Sequence, residues 1–116
     1  MQEIQQLAEE FRRSSKLLQA LGDETRQQLI LAMMQMGQCR GVRVGAIAEK
    51  THLSRPAVSH HLRIMKEAGL VKVRREGTKN YYYFDADAAA MDALLSMLTD
   101  AKALMRRLPD RSGNDE

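Results

Sequence analysis

The chain has 116 residues, 18 basic and 15 acidic, with a net charge of +3 and a single cysteine. That length holds one domain with a modest core, which excludes a multidomain enzyme and makes a second subunit a useful source of further burial. Hydrophobic residues make up 44% of the chain and aromatic ones 4%, the balance of a folded, mainly helical domain with a Leu, Ile, Met and Ala core rather than of a disordered chain.

Ile4, Leu7, Phe11, Leu18 and Leu21 recur at helical spacing and predict an amphipathic helix over residues 3–20, ended by Gly22. Little chain precedes this stripe to cover it, so it points to a partner subunit. Asp23 is placed to cap a second helix whose apolar face is Leu29, Ile30, Met33 and Met34, running to Gly37. Residues 37–41 read as a loop containing Cys39, residues 42–44 as a very short strand, and residues 46–51 as a short helix closed by a turn at His52-Leu53.

The next helix carries the clearest functional signal. Ser54 is its N-cap, Pro56 lies in the first turn where a missing N–H costs nothing, and Gly69 is the residue that stops it. Val58, Leu62, Ile64 and Met65 form an apolar stripe, leaving Arg55, Ser59, His60, Arg63 and Lys66 on the other side. Short helix, tight turn and longer helix give helix-turn-helix spacing, and the polar face offers donors to phosphates and base edges.

After Gly69 the period changes from 3.6 to 2. Leu70, Val71 and Val73 alternate with Lys72 and Arg74, Glu76-Gly77-Thr78 turns the chain, and residues 80–84 return as an aromatic strand. Alternation sets Tyr81 and Tyr83 on one face and Tyr82 and Phe84 on the other, so at least two of these rings should pack on the core. Such a hairpin beside a helix-turn-helix is a wing. Arg74, Arg75, Thr78, Lys79 and Asn80 on its tip and flanks suit contact with phosphate or a minor groove, as a cluster without acidic partners. Between Arg55 and Lys79 seven basic residues face two acidic ones, so the basicity is local, as on a polyanion-binding face.

A last helix is predicted from Asp85 or Asp87 to Leu108, with Met91, Leu94, Leu95, Leu98, Ala101, Met105 and Leu108 on a stripe of roughly heptad spacing that seeks another helix. Pro109 ends it. The expected organisation is one winged helix-turn-helix and dimerisation domain over residues 1–108, mainly α with a small hairpin, then a flexible tail over residues 109–116. Ile4, Leu7, Phe11, Met91, Leu94, Leu98 and Met105 are the expected dimer contacts.

Three segments together resemble the small winged-helix repressors of the arsenic- and zinc-sensing type, the ArsR/SmtB-like family. They are residues 17–26 with Leu-Gly-Asp-x-Thr-Arg, the Ser59-x-His61-Leu62 and Ala68-Gly69-Leu70-Val71 pattern, and Arg75-Glu76-Gly77 followed by Tyr82 to Phe84. The resemblance implies a homodimer built from the first and last helices. It also implies two reading helices on a pseudo-palindromic double-stranded operator, and repression relieved by an inducer. By position it implies DNA contact at Ser59 and His60, flanked by Arg55, Pro56 and Arg63, with Arg74, Arg75 and Lys79 gripping from the wing; His61 matches the family's core-side histidine.

The sensor chemistry does not match. Relatives that detect soft metals carry Cys-x-Cys just before Asp-Leu-Ala; here Ala46-Ile47-Ala48 fills that slot, and the thiolate positions are Arg43 and Gly45, neither of which binds a soft metal. The zinc-sensing set needs histidines on the last helix, and none follows His61. The expectation is therefore a regulator with no metal cofactor. A nonstandard metal or thiol sensor using Cys39 and a winged-helix module for protein partners are the alternatives. No Ser-His-Asp, Cys-His or paired-carboxylate arrangement and no Gly-rich phosphate loop is present, so an enzyme is not expected. With no apolar N-terminal run and one cysteine, a cytoplasmic location without membrane contact is expected.

Overall fold

Six helices and one hairpin follow in the order α1 (Gln2–Arg13), α2 (Ser15–Leu21), α3 (Glu24–Met36), α4 (Val44–Thr51), α5 (Arg55–Glu67), β1 (Val71–Glu76), β2 (Lys79–Phe84) and α6 (Ala89–Arg107). This computed structural model describes residues 2–37, 40–85 and 87–109. The architecture is a winged helix-turn-helix, mainly α with one antiparallel hairpin, as the sequence predicts. Leu17 and Ala20 of α2, Leu29, Ile30 and Met33 of α3, Ile47 of α4, Val58, Leu62 and Met65 of α5, Val71 of β1, and Leu94 and Met97 of α6 converge on one core. Each large aliphatic side chain taken out of water there contributes about 2 kcal/mol.

The expected single helix over residues 3–20 is two helices bent at Ser14. Ser14 has ψ 3° instead of a helical value near −42°, while the bonds from Ser14 N–H to Glu10 O (3.1 Å) and from Leu18 N–H to Ser14 O (2.8 Å) carry the ladder through the bend. Adjacent serines are a recurrent site of such kinks. The bend sends α2 into the core and leaves α1 against α6, where Arg107 donates to Glu3 at 2.8 Å. The molecule measures 59 × 30 × 22 Å.

Asp23 caps α3 as predicted, accepting from Arg26 N–H at 2.9 Å. Met34 departs from the expected apolar face: it lies on the outer side of α3 and is 58% exposed. Residues 42–44 do not form a strand, because Val42 alone pairs with Tyr82 while Val44 already begins α4. Gly41 makes that pairing possible. With φ 94° and the Tyr82 carbonyl oxygen 2.8 Å from where a Cβ would sit, no other residue fits there.

The hairpin register pairs Val71 with Phe84, Val73 with Tyr82 and Arg74 with Tyr81. Glu76, expected in the turn, belongs to β1 opposite Lys79, and Gly77-Thr78 alone form the loop. Tyr82 and Phe84 pack on the core, as the alternation requires. The last helix starts at Ala89 rather than at Asp85 or Asp87. Asp85 instead shapes the preceding turn, accepting from Asp87 N–H at 3.2 Å and pairing with Lys72 at 3.3 Å. Cys39 and residues 110–116 of the expected tail lie outside the described residues. Among those described, no helix is long and apolar enough to cross a membrane.

Candidate nucleic-acid interface

The candidate reading face is on α5, and both ends of that helix are fixed by local chemistry. At its start the Ser54 hydroxyl accepts from Ala57 N–H at 3.2 Å, with Pro56 in the first turn. At its end Gly69 takes φ 80°, Gly69 N–H donates to Lys66 O (3.0 Å) and Leu70 N–H donates to Met65 O (2.9 Å). These are the two bonds of a Schellman stop, which places a left-handed residue where glycine carries no steric cost. Between these stops Val58, Leu62 and Met65 are all completely buried. The helix is thus held by one side, and Arg55, Pro56, His60, Arg63 and Lys66 stand exposed on the other, with Ser59 half-buried among them.

His61 lies on the inner flank of α5, half-buried. Its Nδ1 is 3.3 Å from Nη1 of Arg26, and its ring centroid is 5.4 Å from that of His60. Burial pushes its pKa below the ordinary histidine value, against the opposing pull of Asp23. Arg26 itself is a buried guanidinium that donates to Ala20 O and Gln19 O, both at 3.0 Å. One side chain therefore satisfies the last carbonyls of α2 and touches α5. Sequence reasoning found the Asp-x-Thr-Arg signature but not this bridge, which spans 35 residues and leaves no local pattern.

The wing cations do not form one cluster. The strand register places Arg74 and Lys79 on one face of the hairpin and Arg75 on the other. Contrary to the expectation of a cluster without acidic partners, Arg74 pairs with Glu76, lies 4.8 Å from the Tyr81 ring centroid and donates to the Arg40 carbonyl. Arg75 Nε donates to Gly77 O at 2.9 Å, closing the turn.

Of the expected dimer contacts, Leu98 (51%) and Met105 (68%) on α6 and Ile4 and Phe11 (each 45%) on α1 are exposed, while Leu7 and Met91 are partly buried against the core. Leu94 differs: at 6% exposure it belongs to the protomer's own core, together with Met97, which the heptad stripe passed over. Leu95 and Leu108 are each 57% exposed. Two apolar faces on one helix look like a single broad stripe in sequence.

The donor set does not suit a metal at the thiolate positions, since Arg43 is the N-cap of α4 and Gly45 lies in its first turn. Among the described residues no three His, Cys, Asp or Glu side chains come together.

Comparison with known proteins gives the same picture. The family model for bacterial regulatory proteins of the arsR family matches residues 23–73. An HTH-type transcriptional regulator of Methanocaldococcus jannaschii is 35% identical over 79 residues, 68% of this chain and 85% of that one. Another, from Mycobacterium tuberculosis, is 34% identical over 107 residues, 90% of this chain and 96% of its own. Among solved structures, a homodimeric winged helix-turn-helix DNA-binding domain from Mycobacterium bovis superposes with a TM-score of 0.57 at 25% identity, covering 96% of each chain.

Proposed function

The chain belongs to the arsR family of bacterial regulatory proteins and is a DNA-binding transcriptional regulator, and from that premise we propose a homodimeric repressor that reads its operator through α5 without a metal at the family's thiolate positions. Arg63, Ser59 and His60 enter the major groove, Arg55 and Pro56 flank them at the helix start, and Lys79 with Arg74 and Arg75 holds backbone or minor groove from the wing. The exposed stripes of α1 and α6 join two copies, so that two reading helices meet half-sites about 34 Å apart, one helical turn of DNA.

The observation that carries this reading is the division of α5. Its apolar residues are consumed inside the protomer, while its donors face outward beside a hairpin with basic residues on both faces. A helix held this way presents side chains to a groove without having to reorganise. Arg43 and Gly45 support the absence of a thiolate switch, because neither offers a soft donor.

The test is operator binding. Fragments selected from the source genome supply the duplex, and gel shift at fixed salt measures affinity. Ser59→Ala combined with His60→Ala should weaken specific binding by about tenfold or more while the fold persists; unchanged affinity would show that α5 does not read DNA. A module for protein partners would bind its target with a shallow salt dependence, whereas phosphate neutralisation gives a steep one.

A further inference from the structure

An open cavity of about 440 Å³ lies between the end of α3, the start of α4 and the wing, with Met36, Arg43, Gly45, Glu49, Arg55 and Tyr81 among its lining residues. We propose that this cavity binds a small organic oxyanion, a carboxylate or phosphate on an apolar body, and that the ligand competes with DNA for Arg55. The competition rests on the operator-reading function proposed above; the binding site does not.

Two arginines, Arg43 and Arg55, line this cavity. Arg55, the first residue of α5, folds back across α4, where its Nη2 is 2.9 Å and its Cζ 3.1 Å from the point a Cβ on Gly45 would occupy. The guanidinium rests in a space that exists because residue 45 has no side chain. Arg43 lines the same cavity as the N-cap of α4, and neither arginine pairs with a carboxylate among the salt bridges of the described residues. Planar guanidinium forks match the oxygens of carboxylates and phosphates, and charge-assisted bonds of this kind are about twice as strong as neutral ones.

The remaining walls narrow the ligand class. Met36, Val42, Ala46 and Tyr81 supply apolar surface, and the Tyr81 ring carries the Arg74 guanidinium on one face. Among the described residues Glu49 is the one carboxylate in the lining, so a ligand with a hydroxyl or amino donor opposite its acid group fits better than a multiply charged anion. The cavity has room for an organic acid and is larger than a bare inorganic anion needs. Its link to function is Arg55, which borders both the cavity and the outward face of α5.

Sodium benzoate is the probe, added to the full chain without DNA at ionic strength held constant with chloride. The arginine Nε–Hε resonances are followed by NMR. Arg43 and Arg55 should shift saturably, and Gly45→Ala, which displaces the Arg55 fork while favouring the helix, and Arg43→Gln should each weaken binding by about tenfold. Shifts that never saturate, that benzamide reproduces, or that ignore both variants overturn the site. Inorganic phosphate and a short duplex DNA are run beside it: if only the duplex moves Arg43 and Arg55, the cavity is a seat for backbone phosphate and the small-ligand proposal falls. Saturating benzoate should also weaken duplex binding by the wild-type chain and not by Gly45→Ala; saturable benzoate binding with unchanged duplex affinity overturns the competition. A wild-type chain that takes up benzoate but no duplex retains the oxyanion site and loses the operator reading.

Discussion

Helices α5 and α6 are both amphipathic, yet they use their apolar residues in different ways. On α5, Val58, Leu62 and Met65 are all completely enclosed by their own protomer. On α6, Leu94, Met97 and Ala101 are enclosed, while Leu95, Leu98 and Met105, with Leu108 at its C-cap, are each more than half exposed. A helix whose apolar side is fully consumed can offer its other side to a polar ligand. A helix with a surplus offers a surface to another helix, and a soluble monomer rarely leaves a large apolar stripe uncovered. On the proposed reading, the same periodicity serves DNA recognition in one place and assembly in the other.

The contrast can be tested by substituting each helix in turn. Leu62→Ala opens a cavity in the shared core and should cost about 3 kcal/mol in urea unfolding; a loss under about 1 kcal/mol would mean that the packing around α5 is looser than its burial implies. On α6, Leu98→Asp with Met105→Asp places charges in the proposed seam and should weaken dimerisation by at least about a hundredfold with helix content unchanged. Sedimentation velocity decides this, and a persistent dimer would move the seam elsewhere. Ser54→Ala removes the cap of α5 and should lower stability by about 1 kcal/mol, with no effect on the oligomer. On the wing, Lys79→Ala should reduce the slope of log affinity against log salt by about one while leaving sequence preference intact.

The smallest effect concerns the inner flank of α5. His61 is held below its ordinary pKa by burial, so the native state resists its protonation more than the unfolded chain does. Stability is therefore full above the unfolded value of about 6.5 and falls as pH drops through it toward the lower native value. His61→Gln should flatten that part of the urea-midpoint profile, and an unchanged slope would assign it to other groups.

Order and type of the elements were legible wherever a local rule acts alone. Asp23 and Ser54 as caps, Gly69 as a stop and the alternation of Tyr82 and Phe84 all follow from chemistry within a few residues. The failures share a cause. The Ser14-Ser15 pair permits the bend in the first helix, but what uses it is the packing of α2 against α3 and α5, and that packing leaves no local pattern. Leu94 and Leu98 fall on one stripe, yet one is covered by its own chain and the other is not; periodicity records amphipathicity and not what covers it. Among the expected site residues, Arg74 and Arg75 have bonding partners within the hairpin and the loop beside it, and Arg55 turns toward Gly45. Charge was visible in the sequence, but its direction depends on strand register and on a missing Cβ ten residues away.

The Schellman stop at Gly69 has a consequence for the geometry of an operator. It joins the end of α5 to β1 without slack, and the bond from Asp85 N–H to Leu70 O at 3.2 Å ties the far strand's exit to the same point. Helix and hairpin behave as the two jaws of a calliper with a locked screw. On the proposed reading, the offset along the duplex between groove and flanking contacts is set within each protomer, and any variation in half-site spacing must be absorbed where two copies meet.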